Sequence, residues 1–157
     1  MTMEYGGVWN GCLEMNSRQV IQLEFFLEAG DFSTAGEASS QIKRILQQIG
    51  VKAETARRIA IGAYEAEMNV IIHSLGGKMR VAILPDRTDI SVEDNGPGIA
   101  DVKLAMQEGY STAPDHIRDM GFGAGMGLPN MARCSDEFSI TSEVGVGTKI
   151  RMVIHHP

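Results

Sequence analysis

The stretch Ser91-Val92-Glu93-Asp94-Asn95-Gly96-Pro97-Gly98-Ile99 decides how this chain is read. Ile90 and Val92 alternate with polar residues, the pattern of a half-buried strand. The strand runs into an acid, two glycines two apart and an apolar residue, Ile99. Glycine permits a tight turn and the close approach of a ligand. An Asp at a strand end can accept a hydrogen bond from an exocyclic amino group. Alone, Asp-x-Gly-x-Gly is also what an ordinary strand-to-helix turn looks like, so its meaning depends on the rest of the chain.

The 157 residues suit one domain with a sizeable core. Hydrophobic residues at 43% and charged residues at 22% are ordinary for a soluble globular protein. A net charge of −6 argues against nucleic acid and anionic membrane as general partners, since both are polyanions. It leaves nucleotide open, because a few local donors suffice to hold one. The two cysteines, Cys12 and Cys134, have no metal-ligand spacing, which fits a reducing, cytoplasmic setting. No run approaches transmembrane length, and a Gly-rich start with its first cation at Arg18 is unlike a secretory signal.

Residues 1–16 carry Gly6, Gly7, Gly11 and Trp9 without apolar periodicity and read as an N-terminal extension, either loose or a partner-binding arm. Residues 17–157 read as a single domain. Gln19 to Glu28 is expected to be a strand. Thr34 to Gln48 is expected to be a helix, with a capping box from Thr34 and Glu37 and Gly50 at its end. A second helix is expected from Ala53 to Leu75, stopped by Gly76-Gly77. Lys78–Leu84 and Thr88–Glu93 read as a hairpin turning at Pro85-Asp86-Arg87. A short helix over Val102 to Gln107 precedes a polar, pattern-free stretch from Gly109 to Gly121, read as a mobile loop or lid. Leu128 to Ser135 reads as a helix, and Glu137–Ser142 with Thr148–Ile154 as a closing hairpin around Gly145-Val146-Gly147. The expected fold is an α/β two-layer sandwich, with helices over one face of a mostly antiparallel sheet.

Four places carry chemistry. Glu65, Asn69 and His73 are spaced four apart and share one face of the second helix. They are either a solvated stripe or a cation and phosphate station: Asn can offer a neutral oxygen to Mg²⁺, Glu can orient or deprotonate a nucleophile, and His can touch phosphate. Asp94 with Gly96 and Gly98 is the second. The third is the run Gly121, Gly123, Gly125 and Gly127 opening a helix, where free N–H groups suit an anion. No strand directly precedes it, against a dinucleotide fold, and no Gly-Lys-Ser or Gly-Lys-Thr follows. The fourth is the turn Gly145-Val146-Gly147-Thr148.

Taken together, Glu-x-x-x-Asn, Asp-x-Gly-x-Gly, a Gly-rich lid exit and a Gly-x-Gly-Thr hairpin resemble the GHKL, or histidine kinase-like, ATPase superfamily with its Bergerat-type fold. The segments EAEMNVIIH (Glu65–His73), EDNGPGI (Glu93–Ile99), EGYST (Glu108–Thr112) and GAGMGLP (Gly123–Pro129) are similar to the bacterial anti-sigma factor serine/threonine kinases and stressosome switch kinases. The resemblance implies that Asp94 reads the adenine amino group with Gly96, Gly98, Ile99 and Thr148 nearby. It implies Asn69 as Mg²⁺ ligand, Glu65 as catalytic base, and His73, Gly121, Gly123, Gly125, Met126, Gly127 and Leu128 about the nucleotide. Ser111 and Thr112 would belong to the lid. ATP and Mg²⁺ would be the cofactors. The partner would be a small anti-sigma-antagonist (STAS-type) protein phosphorylated on Ser or Thr, with a sigma factor or a phosphatase as further partners and a homodimer left open. The alternative is a nucleotide-gated protein that sequesters a sigma factor or sensor without kinase activity. A two-component histidine kinase is disfavoured, since no His precedes Glu65.

Overall fold

A computed structural model of the chain describes residues 2–5, 20–120 and 125–157. Gly121 and Gly123 therefore lie outside the described residues, as does most of the segment read as an extension. Six strands form one sheet: β1 (Thr2–Tyr5), β2 (Val20–Leu27), β3 (Gly77–Ile83), β4 (Arg87–Asp94), β5 (Glu137–Glu143) and β6 (Gly147–His155), in the order β1-β2-β3-β4-β6-β5. Every neighbouring pair is antiparallel except β1 with β2, so the strand inside the N-terminal segment adds to the sheet edge in parallel.

Period-two alternation decides which face of the sheet is covered. Met79, Val81 and Ile83 on β3, Ile90 and Val92 on β4, and Ile150, Met152 and Ile154 on β6 all turn inward and are buried. Each such side chain is worth about 1.5–3 kcal/mol of transfer free energy. The other face carries charge. Glu24 pairs with Lys78 and Arg80, Glu93 with Lys149, and Asp89 with Arg87 and Arg151. Exposed pairs of this kind contribute only about 0–1 kcal/mol each, but they keep that face wet.

The helices α1 (Glu37–Gln48), α2 (Ala53–His73) and α5 (Gly127–Cys134) cover the apolar face, while α3 (Val102–Ala105) and α4 (Asp115–Asp119) are short. On α2, Ile59, Ala63, Ala66 and Val70 meet the core. Small residues let the helix lie close to the sheet: a Cβ on Gly62 would come 3.2 Å from Met152 Sδ.

Three local expectations differ from the structure. No Thr34–Glu37 capping box forms, because the Thr34 hydroxyl donates to Asp31 Oδ2 at 2.9 Å and the helix starts after Gly36. The cap comes from α2 instead: Gly36 N–H donates to Glu67 Oε1 at 2.9 Å and Ser39 N–H to Glu67 Oε2 at 3.4 Å. The second helix stops at His73 rather than Leu75. There Ser74 turns extended and its hydroxyl takes the Gly76 N–H at 3.2 Å, while Leu75 has no core to reach and is 79% exposed. The polar stretch from Gly109 contains α4, anchored by buried Ala113 and Ile117. No described helix is long and apolar enough to cross a membrane.

Candidate active site

One cavity of about 570 Å³ opens between α2, the turn after β4, α3, the polar stretch and the start of α5. Helix periodicity puts Glu65, Asn69 and His73 on the α2 face that lines it, with Met68 and Ile72 between them. The opposite face of α2 is spent on Glu67 and the core. The three polar residues are thus not a solvated stripe but one wall of a concave site.

Asp94 also lines it. Its Oδ1 accepts the Gly96 N–H at 2.8 Å and the Thr148 N–H at 3.3 Å, so two backbone donors hold the carboxylate where β4 ends. Gly96 itself does not line the cavity. It is buried behind Asp94, where a Cβ would come 2.9 Å from Ser74 Cα. Gly98, Ile99 and Thr148 do line it. Gly98 has φ +76°, and a side chain there would run into the Glu143 carbonyl. The turn after β4 can therefore lie directly against the β5–β6 hairpin. Gly145 N–H donates to Pro97 O at 2.9 Å, and Ile99 N–H donates to Ser142 Oγ at 2.7 Å. Ser142 Oγ also lies 2.9 Å from Thr148 Oγ1, so this one hydroxyl ties the hairpin, the turn and the Asp94 partner together. Leu104 and Ala105 of α3 supply an apolar wall between Asp94 and the polar stretch, suited to a flat ring.

Ser111 and Thr112 face the cavity from the polar stretch. Thr112 Oγ1 lies 3.5 Å from His73 Nδ1. Burial pushes the His73 imidazole below its ordinary value of 6.5, against a weaker upward pull from the Asp94 charge, so it stands neutral at pH 7. Gly125, Met126, Gly127 and Leu128 complete the rim. Gly125, at φ +81°, packs against the backbone of Gly109 and Tyr110 so closely that a side chain would have no room, and Gly109 N–H donates to its carbonyl at 3.0 Å.

The thirteen described expected residues other than Gly96 share this single cavity: Glu65, Asn69 and His73; Asp94, Gly98 and Ile99; Ser111 and Thr112; Gly125 to Leu128; and Thr148. Leu104 and Ala105 of the cavity wall escaped the sequence reading, and so did two residues that act on the site from behind it. One is Ser142, described above; the other is Asn130, whose Nδ2 donates to Glu65 Oε1 at 3.2 Å. Each works through a tertiary contact with no local pattern; only the cross-strand position of Ser142 opposite Thr148 offered a signal.

A nucleotide-sized cavity between a single helical layer and the ends of a mostly antiparallel sheet defines an ATPase-type α/β sandwich. The chain belongs to the histidine kinase-like ATPase domain family, whose model matches residues 30–154. It is 31% identical over 121 residues to the serine/threonine-protein kinase RsbT of Bacillus subtilis (strain 168), spanning 74% of this chain and 85% of that one. It is 31% identical over 150 residues to an anti-sigma F factor of Caldanaerobacter subterraneus subsp. tengcongensis, spanning 96% of this chain and 94% of that one. Among solved structures, the SiaB–SiaC complex from Pseudomonas aeruginosa shares the fold, with a TM-score of 0.57 over 84% of this chain and 89% of that chain at 16% identity.

Proposed function

We propose that this protein is a Mg-ATP-dependent serine/threonine kinase of a partner-switching pathway, acting on a small antagonist protein of STAS type. The observation that carries the reading is that Glu65, Asn69 and His73 on α2 line the same cavity as Asp94. Asp94 receives the adenine amino group, and the Leu104 and Ala105 wall packs against the ring. His73, Ser111, Thr112 and the backbone from Gly125 to Leu128, with Gly121 and Gly123 before it, meet the phosphates. The kinase relative and the anti-sigma relatives support this assignment. The anti-sigma names favour, in addition, sequestration of a sigma factor by this chain. A cytoplasmic setting, and the division into an extension over 1–16 and one ATPase domain over 17–157, belong to the same reading.

The donor set fits Mg²⁺ held through its nucleotide. Among the described residues no group of three or more His, Cys, Asp or Glu could cage a metal alone. Asn69 lines the cavity with its amide unclaimed by another described side chain, so its oxygen is free to add one ligand beside phosphate oxygens and waters. Bound there, the ion neutralises phosphate charge. In the transfer, the acceptor hydroxyl oxygen attacks the γ-phosphorus. The bond from that phosphorus to the β–γ bridging oxygen breaks, ADP leaves with the oxygen, and the hydroxyl proton passes to the Glu65 carboxylate.

The test separates the two jobs on α2. Glu65→Gln keeps the shape and removes the base, so Mg-ATP affinity should stay within a few-fold while single-turnover transfer falls on the order of 10²–10⁴-fold. Asn69→Ala should damage Mg-dependent binding and transfer together. Full transfer by Glu65→Gln would remove the base assignment. A parent protein that binds ATP but phosphorylates no candidate antagonist, checked by mass spectrometry, would favour the nucleotide-gated binder.

A further inference from the structure

We propose that Asn130 is a positioning residue that tethers the Glu65 carboxylate, and that the Glu108–Arg133 pair sets the direction of its amide from the foot of the lid. The inference rests on Glu65 being the base assigned above.

The two residues of α5 lie three apart and so share a face. Asn130 Nδ2 donates to Glu65 Oε1 at 3.2 Å. Arg133 Nη1 donates to Asn130 Oδ1 at 3.3 Å. Arg133 Nη2 pairs in turn with the Glu108 carboxylate. A side-chain amide has two unlike ends, one accepting only and one donating only. Here a guanidinium that only donates stands on one side, and a carboxylate that only accepts stands on the other. Turning the amide over would set donor against donor and oxygen against oxygen, so its neighbours leave it one orientation.

Glu65 is thereby held at one oxygen. Oε1 takes the Asn130 donor, while Oε2 occupies the space that the missing side chain of Gly127 leaves open, 3.3 Å from where a Cβ would be. A carboxylate that must receive a proton during transfer works only near one geometry, and a fraction of an ångström of freedom is felt in the rate. Glu108 stands where the lid leaves the body: the next residue, Gly109, donates its N–H to Gly125 O at 3.0 Å. The chain Glu108, Arg133, Asn130, Glu65 therefore links the seating of the lid to the readiness of the base.

Asn130→Asp is nearly isosteric, keeps the partner for Arg133 and loses the donor toward Glu65. It should leave Mg-ATP affinity within about 3-fold and lower single-turnover transfer on the order of 10-fold or more. The double variant Glu108→Arg/Arg133→Glu keeps the ion pair but sets the amide between two carboxylates, so its NH₂ can no longer be committed to Glu65 with the oxygen satisfied at the other end. Its thermal midpoint should stay near the parent while transfer falls as far as in Asn130→Asp. Parental transfer in the charge-exchanged protein would overturn the proposal, because a merely structural pair is restored by exchange. A second readout needs no transfer at all: the side-chain NH₂ resonances of Asn130 should move in Glu65→Gln and again in the exchanged protein. If they move while the parent itself transfers nothing, the tether stands and the kinase reading falls. If they move in neither variant, the tether is refuted.

Discussion

Asp94 spends one carboxylate oxygen inside the protein. Oδ1 takes the N–H groups of Gly96 and Thr148. Asp94→Asn can keep both bonds through its own Oδ1, but it brings an NH₂ where the adenine amino group would be, donor against donor. We expect ATP affinity to fall roughly 10–100-fold, about 1.5–3 kcal/mol for one charge-assisted bond. Equal affinities by calorimetric titration would take Asp94 out of the site. At this scale the sequence was legible where chemistry and backbone need coincide, as at Asp94 beside Gly98. It was silent at Asn130 and Glu67. An asparagine or a glutamate in a helix carries no local mark, and their partners Glu65 and Gly36 lie dozens of residues away.

Two elements take their form from residues outside them. The N-terminus of α1 is closed by Glu67 of α2, which is only 1% exposed. Glu67→Ala would leave two N–H groups without an acceptor, and we expect a loss of about 1–3 kcal/mol in denaturant unfolding. Burial pushes the Glu67 carboxyl above its ordinary 4.5, with the backbone donors of Gly36 and Ser39 pulling it down less strongly. The folded chain therefore holds this proton more tightly than the unfolded one. The stability it contributes is present at low pH and is lost as pH rises from about 4.5 through the raised value. The difference in unfolding free energy between the parent and Glu67→Gln should fall across that window and then level off; a difference that rises instead would show the carboxylate to be the favoured form. The second element is the polar stretch. Ala113 and Ile117 anchor it, and Arg118, on its exposed side, donates to Ser111 O at 2.6 Å. If it closes over Mg-ATP, tryptic cleavage after Arg118 should slow when nucleotide is added. Unchanged cleavage would mean that the stretch is not a lid. Its helix α4 escaped the sequence reading because five residues are too few to show a period.

The cavity joins α2, the turn after β4, α3, the polar stretch, the start of α5 and Thr148 of β6, so nucleotide should brace the molecule as a whole. At 100 times the dissociation constant, Mg-ATP should add about 2.7 kcal/mol and raise the melting midpoint by roughly 5–10 °C. Asn69→Ala should lose the Mg-dependent part of that gain, and a parent midpoint indifferent to Mg-ATP would count against the site altogether. The sequence by itself determined the sandwich and pointed to thirteen of the residues that line the cavity. Those depend on period-two strands, a helix face at spacing four and glycines at turns, all of which repeat over short separations. The tertiary structure alone decided how α1 is capped, where α2 ends, what ties the hairpin to the turn after β4, and what holds the Glu65 carboxylate. Each of these is a single hydrogen bond or contact between distant segments, and no local pattern announces a bond that exists only once the layers have packed.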